Sequence, residues 1–198
     1  MKKREPEANS FATKLAAGPR KLSSGSLPVT PLKNRGKGAP LRIRPGISRD
    51  ASTIMALIRG LAKYERLLAE YRPNAQRFRR HGFGRRRYFE TLICTQAERP
   101  VGFALYYFTY STFACRPILF IEDIFVLPDR RGQGAGKALM SALARIAIRK
   151  GCGQMAWNVL HWNSPAINFY RRLGARIDKT WLLTRLTNAH LRRLARAE

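Results

Sequence analysis

Acidic residues, cysteines and long apolar runs are what this chain has little of. Twelve Asp and Glu stand against 38 Lys and Arg, for a formal net charge of +26 over 198 residues. The three cysteines, Cys94, Cys115 and Cys152, are an odd set without ligand spacing, and the three histidines fall singly. That pattern argues against a disulfide framework and against a zinc site, so no metal is expected. Each cysteine reads as a small, partly buried apolar residue. No apolar run approaches the length of a membrane span, and the N-terminus has no signal-type apolar region, so the expectation is a soluble, cytoplasmic protein without membrane contact. No internal repeat is visible.

What is present suffices for one domain with a sizeable core plus an appendage: 45% of residues are apolar and 25% charged. Residues 1–40 carry nine Lys/Arg and two Glu, which leaves +19 of the +26 on the rest. Two readings of this charge stand side by side. One is a polyanionic partner such as nucleic acid; the other is solvated faces filled with arginine, since no RNP aromatics, zinc-finger spacing or basic zipper accompanies it.

Residues 1–40, rich in Lys, Ser, Gly and Pro and without periodicity, read as a disordered basic arm. Glu5 and Glu7 argue against a transit peptide. Order is expected from Leu41, making 41–198 the folded domain. Leu41–Arg44 alternates like a strand, and a helix with Ile54, Leu57, Ile58, Leu61, Tyr64 and Leu68 on one face follows, capped by Ser48 or Asp50. Pro73–Arg87 reads as a short helix and an arginine-rich exposed loop. Tyr88–Thr95, Val101–Tyr110 and Ile118–Leu127 form a strand meander, with a hairpin turn placed at Arg99–Pro100. Next come a long helix ending at Gly151, a strand from Gln154 to Leu160, a helix from Pro165 to Leu173 capped by Ser164, a strand around Thr180–Leu186 and a basic helical end. A meander followed by strand-helix-strand alternation implies an α/β fold with a mixed sheet, antiparallel in one part and parallel in the other.

The chain is organised around Ile121–Lys137, IEDIFVLPDRRGQGAGK. An apolar strand carries two acids, Glu122 and Asp123, then Pro128–Asp129 ends it and a glycine-rich loop opens the long helix. Unpaired N–H groups and the helix dipole make such a turn an anion site. A Walker loop fails, because Arg131 and Ala138 stand where it needs glycine and Ser/Thr. A dinucleotide fingerprint fails too, its third glycine falling on Lys137 or Leu139. Arg-x-x-Gly-x-Gly across Arg131, Gly134 and Gly136 fits, and it resembles the acyl-CoA pyrophosphate loop of the GNAT N-acetyltransferase superfamily. Together with GFALYYFTYST (102–112), LHWNSPAINFYRRLGA (160–175), LAKYE (61–65) and GFG (82–84), it looks like the diamine and thialysine acetyltransferase branch.

The resemblance implies a GNAT fold and transfer of acetyl from acetyl-CoA, as co-substrate, to a primary amine of a small thialysine-, lysine- or diamine-like molecule. It gives Glu122 the role of general base and Tyr170 that of the acid for the departing thiolate, which a phenol with a pKa of about 10 suits in basicity. Without the family, Asn168-Phe169-Tyr170 reads as core packing and Glu122 as an ion-paired strand-end acid. Acyl-CoA contacts are implied for Ile124, Phe125 and Val126, for Arg131, Gly132, Gln133, Gly134, Ala135, Gly136 and Lys137, and for Asn163, Ser164, Pro165 and Ala166. Tyr64, Glu65, Glu122 and Asp123 are implied at the acceptor. On a regular strand Asp123 would face away from Glu122. Ser111-Thr112 matches the thialysine-type relatives, and the arginine-rich loop would repel a polyamine. A homodimer is implied by the family alone. Two rival functions remain in view, a protein-lysine acetyltransferase acting on an acidic partner and a basic RNA- or ribosome-associated protein with a GNAT fold.

Overall fold

The computed structural model describes residues 39–197, so the expected basic arm lies almost wholly outside the described residues. Five strands form one sheet in the order β1-β2-β3-β4-β5: β1 (Leu41–Pro45), β2 (Glu90–Gln96), β3 (Arg99–Ser111), β4 (Arg116–Val126) and β5 (Gln154–Trp157). The first four are antiparallel neighbours and β5 joins β4 in parallel. This is the mixed sheet expected. Around it run α1 (Ala51–Tyr64), α2 (Ala75–Phe83) and α3 (Ala135–Arg149); α4 (Ser164–Arg172) and α5 (Asn188–Leu194) come later in the sequence. The chain divides into two compact units after Asn158.

In the first unit the core has a simple origin. β2 is buried from Thr91 to Gln96 and β3 from Val101 to Tyr106, as stretches covered on both faces must be. α1 contributes Ile54, Leu57 and Leu61, which meet Ile93, Phe103, Leu105 and Phe125 in one cluster. α3 buries Leu139, Met140, Leu143 and Ile146 at helical spacing. Gly102 lets β3 and β4 approach, since a Cβ there would stand 2.6 Å from the Phe125 carbonyl oxygen. β1 is tied to the entry of α1 by Arg44, whose guanidinium donates to both carboxylate oxygens of Asp50 at 2.6 and 2.8 Å. Asp50 also accepts from Ile47 N–H at 2.9 Å. Asp50 thus organises the turn before α1 rather than capping it through a side-chain bond to the helix.

Three expectations are corrected. The β2–β3 turn falls on Ala97–Glu98, both at positive φ (49° and 61°), while Arg99 and Pro100 already pair in β3. Neither residue is a glycine, so composition gave no signal for a turn that strand register imposes. The helix α4 is capped by Asn163, whose Oδ1 accepts from Ala166 N–H at 3.3 Å, and Ser164 is its first residue. Thr180–Leu186 is not a strand; Trp181, Leu182 and Leu183 are 81%, 86% and 64% exposed. Its apolar character is the same in either state, and only a neighbouring strand would supply the ladder.

Candidate active site

The Glu122-Asp123 pair sits on an irregular strand. Leu105 pairs with Asp123 and Tyr106 with Ile121, so Glu122 is the extra residue of a β-bulge in β4. A bulge suspends strict alternation, and the expectation that Asp123 faces away from Glu122 on a regular strand gives way here. Asp123 is half-buried, and its carboxyl is pushed up to about 7, first by burial and then by the charges of Glu122 and Glu65. Glu65, one residue past the end of α1, is itself raised by burial. Three carboxylates therefore share one neighbourhood, where a cation is favoured. Glu122 is exposed and accepts from the Tyr107 hydroxyl at 3.2 Å. Sequence reading missed Tyr107; the signal was its place on β3 in the stretch facing the acid pair.

The same bulge marks the end of β5. Pairing with β5 covers Ile118 to Ile121 of β4 and stops there, so Ile124, Phe125 and Val126 lie on a stretch with no strand paired on its β5 side among the described residues. An extended polar ligand can use such an edge as a further strand would. Beyond it, Arg131 to Gly134 are exposed. Gly132 and Gly134 take φ of +76° and +90°, and nothing lies within 4 Å of a Cβ placed on Gly132. Gly134 caps α3 from the left-handed region. Ala138 N–H donates to Gly134 O at 2.9 Å and closes the first turn. The amides from Ala135 to Lys137 are the ones a helix leaves without an intrahelical acceptor. Gln133 Nε2 donates to Asp129 O at 3.2 Å, which braces the loop from its own start. An open glycine loop on a helix N-terminus fits a pyrophosphate.

Arg131 bridges the two ends of this arrangement. Its guanidinium carbon lies 4.4 Å from the centroid of the Tyr64 ring and 5.7 Å from that of Phe125. Its Nε donates to Val126 O at 3.2 Å. Tyr64 is thereby stacked against the glycine loop, a link the sequence did not announce because 67 positions separate the partners.

In the second unit, Tyr170 is buried near the end of α4, its ring 5.4 Å from that of Phe169. Its carbonyl accepts from Leu173 N–H and Ala175 N–H. Asn163 is buried at the start of the same helix, Ser164 and Pro165 are exposed, and Ala166 is half-buried. Among the described residues no group of three His, Cys, Asp or Glu could hold a metal ion, and no helix is long and apolar enough to cross a membrane.

Comparison with known proteins gives a consistent answer. Residues 62–175 match the model of the acetyltransferase (GNAT) family. The chain is 38% identical over 169 residues to a thialysine N-epsilon-acetyltransferase of Mus musculus, covering 79% of this chain and 98% of that one. An L-ornithine N5-acetyltransferase of Arabidopsis thaliana is 43% identical over 86 residues, 43% of this chain and 38% of that one. Among solved structures, an integron cassette protein from V. cholerae superposes with a TM-score of 0.67 at 22% identity, covering 79% of this chain and 98% of that one. An aminoglycoside N-acetyltransferase in complex with CoA gives 0.59 at 23% identity, over 76% and 97% of the two chains.

Proposed function

We propose, because the chain belongs to the acetyltransferase (GNAT) family and is an acyltransferase, that it transfers acetyl from acetyl-CoA to a primary amine of a small lysine- or diamine-like molecule. The observation that carries the reading is the edge of β4 left unpaired beyond Ile121 among the described residues, which begins beside three carboxylates and runs into the glycine loop of α3. Amine and thioester would meet where the two ends join.

Glu122 takes the proton of the ammonium group, directly or through a water, and frees the lone pair for attack. The nitrogen bonds to the thioester carbon, the carbon–sulfur bond breaks, and the Tyr170 hydroxyl protonates the departing sulfur; the nitrogen sheds its second proton to water as the amide forms, and the Tyr170 phenolate takes a proton back from water. Ile124 to Val126 offer main-chain groups to the pantetheine arm, the amides from Gly132 to Lys137 hold the pyrophosphate, and Asn163 to Ala166 add contacts to the coenzyme. Tyr64, Glu65 and Asp123 hold the acceptor. At Cys94 direct transfer in a ternary complex is favoured over an acetyl-cysteine, since burial pushes its thiol up to about 11 and disfavours a thiolate nucleophile. Acetyl-CoA as co-substrate fits a cytoplasmic enzyme, and the exposed apolar run Trp181–Leu183 fits a homodimer that covers it.

A second assignment of the base has one observation in its favour. Asp123, near 7, is closer to the operating pH than an ordinary carboxylate, which is where a general base is most effective. The pH dependence of kcat/KM separates the two. With Glu122 as base, Glu122→Gln abolishes the acidic limb and Asp123→Asn leaves it in place. The opposite outcome moves the role to Asp123, and retention of the limb in both variants removes it from the pair.

A further inference from the structure

Glu122 has no partner opposite it in β3, because the register passes from Leu105–Asp123 to Tyr106–Ile121. A bulged residue is released from the ladder, which lets its side chain be re-aimed. This one is exposed, and a glutamate so placed has several rotamers open to it, each of which carries the carboxylate to a different position. A base must lie within hydrogen-bond reach of the proton that it takes. A group that selects one rotamer therefore bears directly on turnover.

The Tyr107 hydroxyl is placed to make that selection. It donates to Glu122 Oε2 at 3.2 Å, which leaves Oε1 for an incoming ammonium group. The ring behind the hydroxyl is half-buried and held from the side. Tyr107 pairs with Phe120 across β3 and β4, the two ring centroids lie 5.3 Å apart with the planes inclined at 36°, and Phe120 pairs on its other side with Ala156 of β5. The donor thus stands on regular strand and the acceptor on the bulge beside it. Burial, followed by the charge of Glu122 and the hydrogen bond to it, raises Tyr107 above the ordinary phenol value, so the hydroxyl keeps its proton and remains a donor through the neutral range. Of the three neighbouring carboxylates, Asp123 and Glu65 have values raised by burial and are the readier to be neutral. The Tyr107 bond falls on the third.

We propose that Tyr107 is the positioning residue for Glu122: its hydroxyl fixes one carboxylate oxygen so that the other meets the ammonium proton of the acceptor, and it acts on the reaction only through Glu122. This deepens the acetyltransferase reading above and rests on it.

The test is a double-mutant cycle on the full-length protein with acetyl-CoA and two probe amines, lysine and putrescine, read by thiol release, with enzyme concentration raised to match the slower backgrounds. Tyr107→Phe keeps the ring on Phe120 and removes only the hydroxyl. It should lower kcat about tenfold, short of the roughly 10²-fold that a full ångström of misplacement can cost, and leave the acetyl-CoA KM in place. In the Glu122→Gln background the same change should alter kcat by less than about twofold, because no base remains to be positioned. A Tyr107→Phe enzyme with kcat within about twofold of wild type overturns the inference while Glu122 keeps its role. Losses that multiply across the cycle also overturn it, since a packing role slows both backgrounds alike. A defect confined to the acetyl-CoA KM does the same. Glu122→Gln with wild-type turnover removes Glu122 as base and the inference with it. Absence of thiol release with both amines, while acetyl-CoA still binds by calorimetry, overturns the acetyltransferase reading itself.

Discussion

The two units of this chain are built on opposite terms. Residues up to Asn158 contain every buried residue of the described chain except Asn163 and Tyr170. The unit from Val159 onward exposes Trp162, Trp181, Leu182, Leu183, Leu191 and Leu194. In the first, burial of strands on both faces fixes the backbone on which the bulge, the open edge and the glycine loop depend. In the second, two buried polar side chains carry the proposed coenzyme contact and the proposed acid. Stability and chemistry should accordingly separate: the first unit should govern how firmly the protein folds, and single atoms in the second should govern turnover.

The largest expected effect tests that separation at Tyr170. Tyr170→Phe keeps the ring beside Phe169 and removes only the hydroxyl. General acid catalysis contributes about 10²–10⁴-fold, so turnover should fall by that order with the melting temperature nearly unchanged. Turnover within about threefold of wild type, well below that range, would return Tyr170 to a packing role.

A change in the first unit should do the reverse. Asp50 is buried, its two oxygens take the Arg44 guanidinium, and its pKa is lowered by that bond. Asp50→Asn should cost about 1–3 kcal/mol, as loss of a charged hydrogen-bond partner does, while kcat holds in the fraction that stays folded. The sign of the pH dependence follows from the lowered value. The contribution of Asp50 is fully present above its unfolded value of 3.8 and is lost as pH falls through the depressed folded value. Asp123 works the other way. Its raised value means that the folded state binds the proton more tightly, so its effect weakens the fold as pH rises from 3.8 to about 7 and is constant above. Denaturant titrations of Asp50→Asn and Asp123→Asn at pH 4, 6 and 8 would resolve both signs.

The smallest effect on stability is expected at the exposed run of the second unit. Trp181→Ser with Leu182→Ser should change the unfolding free energy of the first unit by no more than about 0.5 kcal/mol, as exposed substitutions do. The same variant should turn a sedimenting dimer into a monomer. A wild-type protein that sediments as a monomer at micromolar concentration would remove the homodimer from the proposal.

By itself the sequence determined the order and type of most elements, since alternation in β1, the β-branched and aromatic runs of β2 to β4 and helical spacing in α1 and α3 record which residues must leave water. It also determined the chemistry of the glycine loop, because Gly132 and Gly134 hold positive φ that other residues adopt at a cost. Only the tertiary structure decided the rest. The bulge at Glu122 depends on how β3 and β4 register, and the turn at Ala97–Glu98 depends on the register of β2 with β3; neither is a local property of the residues concerned. The raised carboxyl of Asp123 comes first from burial, then from the charge of its neighbour Glu122 and that of Glu65, which is 58 positions away, and the stacking of Arg131 on Tyr64 spans a similar distance. Thr180–Leu186 has the composition of a strand and pairs with no strand among the described residues, because a strand's hydrogen bonds are made by its neighbour while its residues supply only the preference.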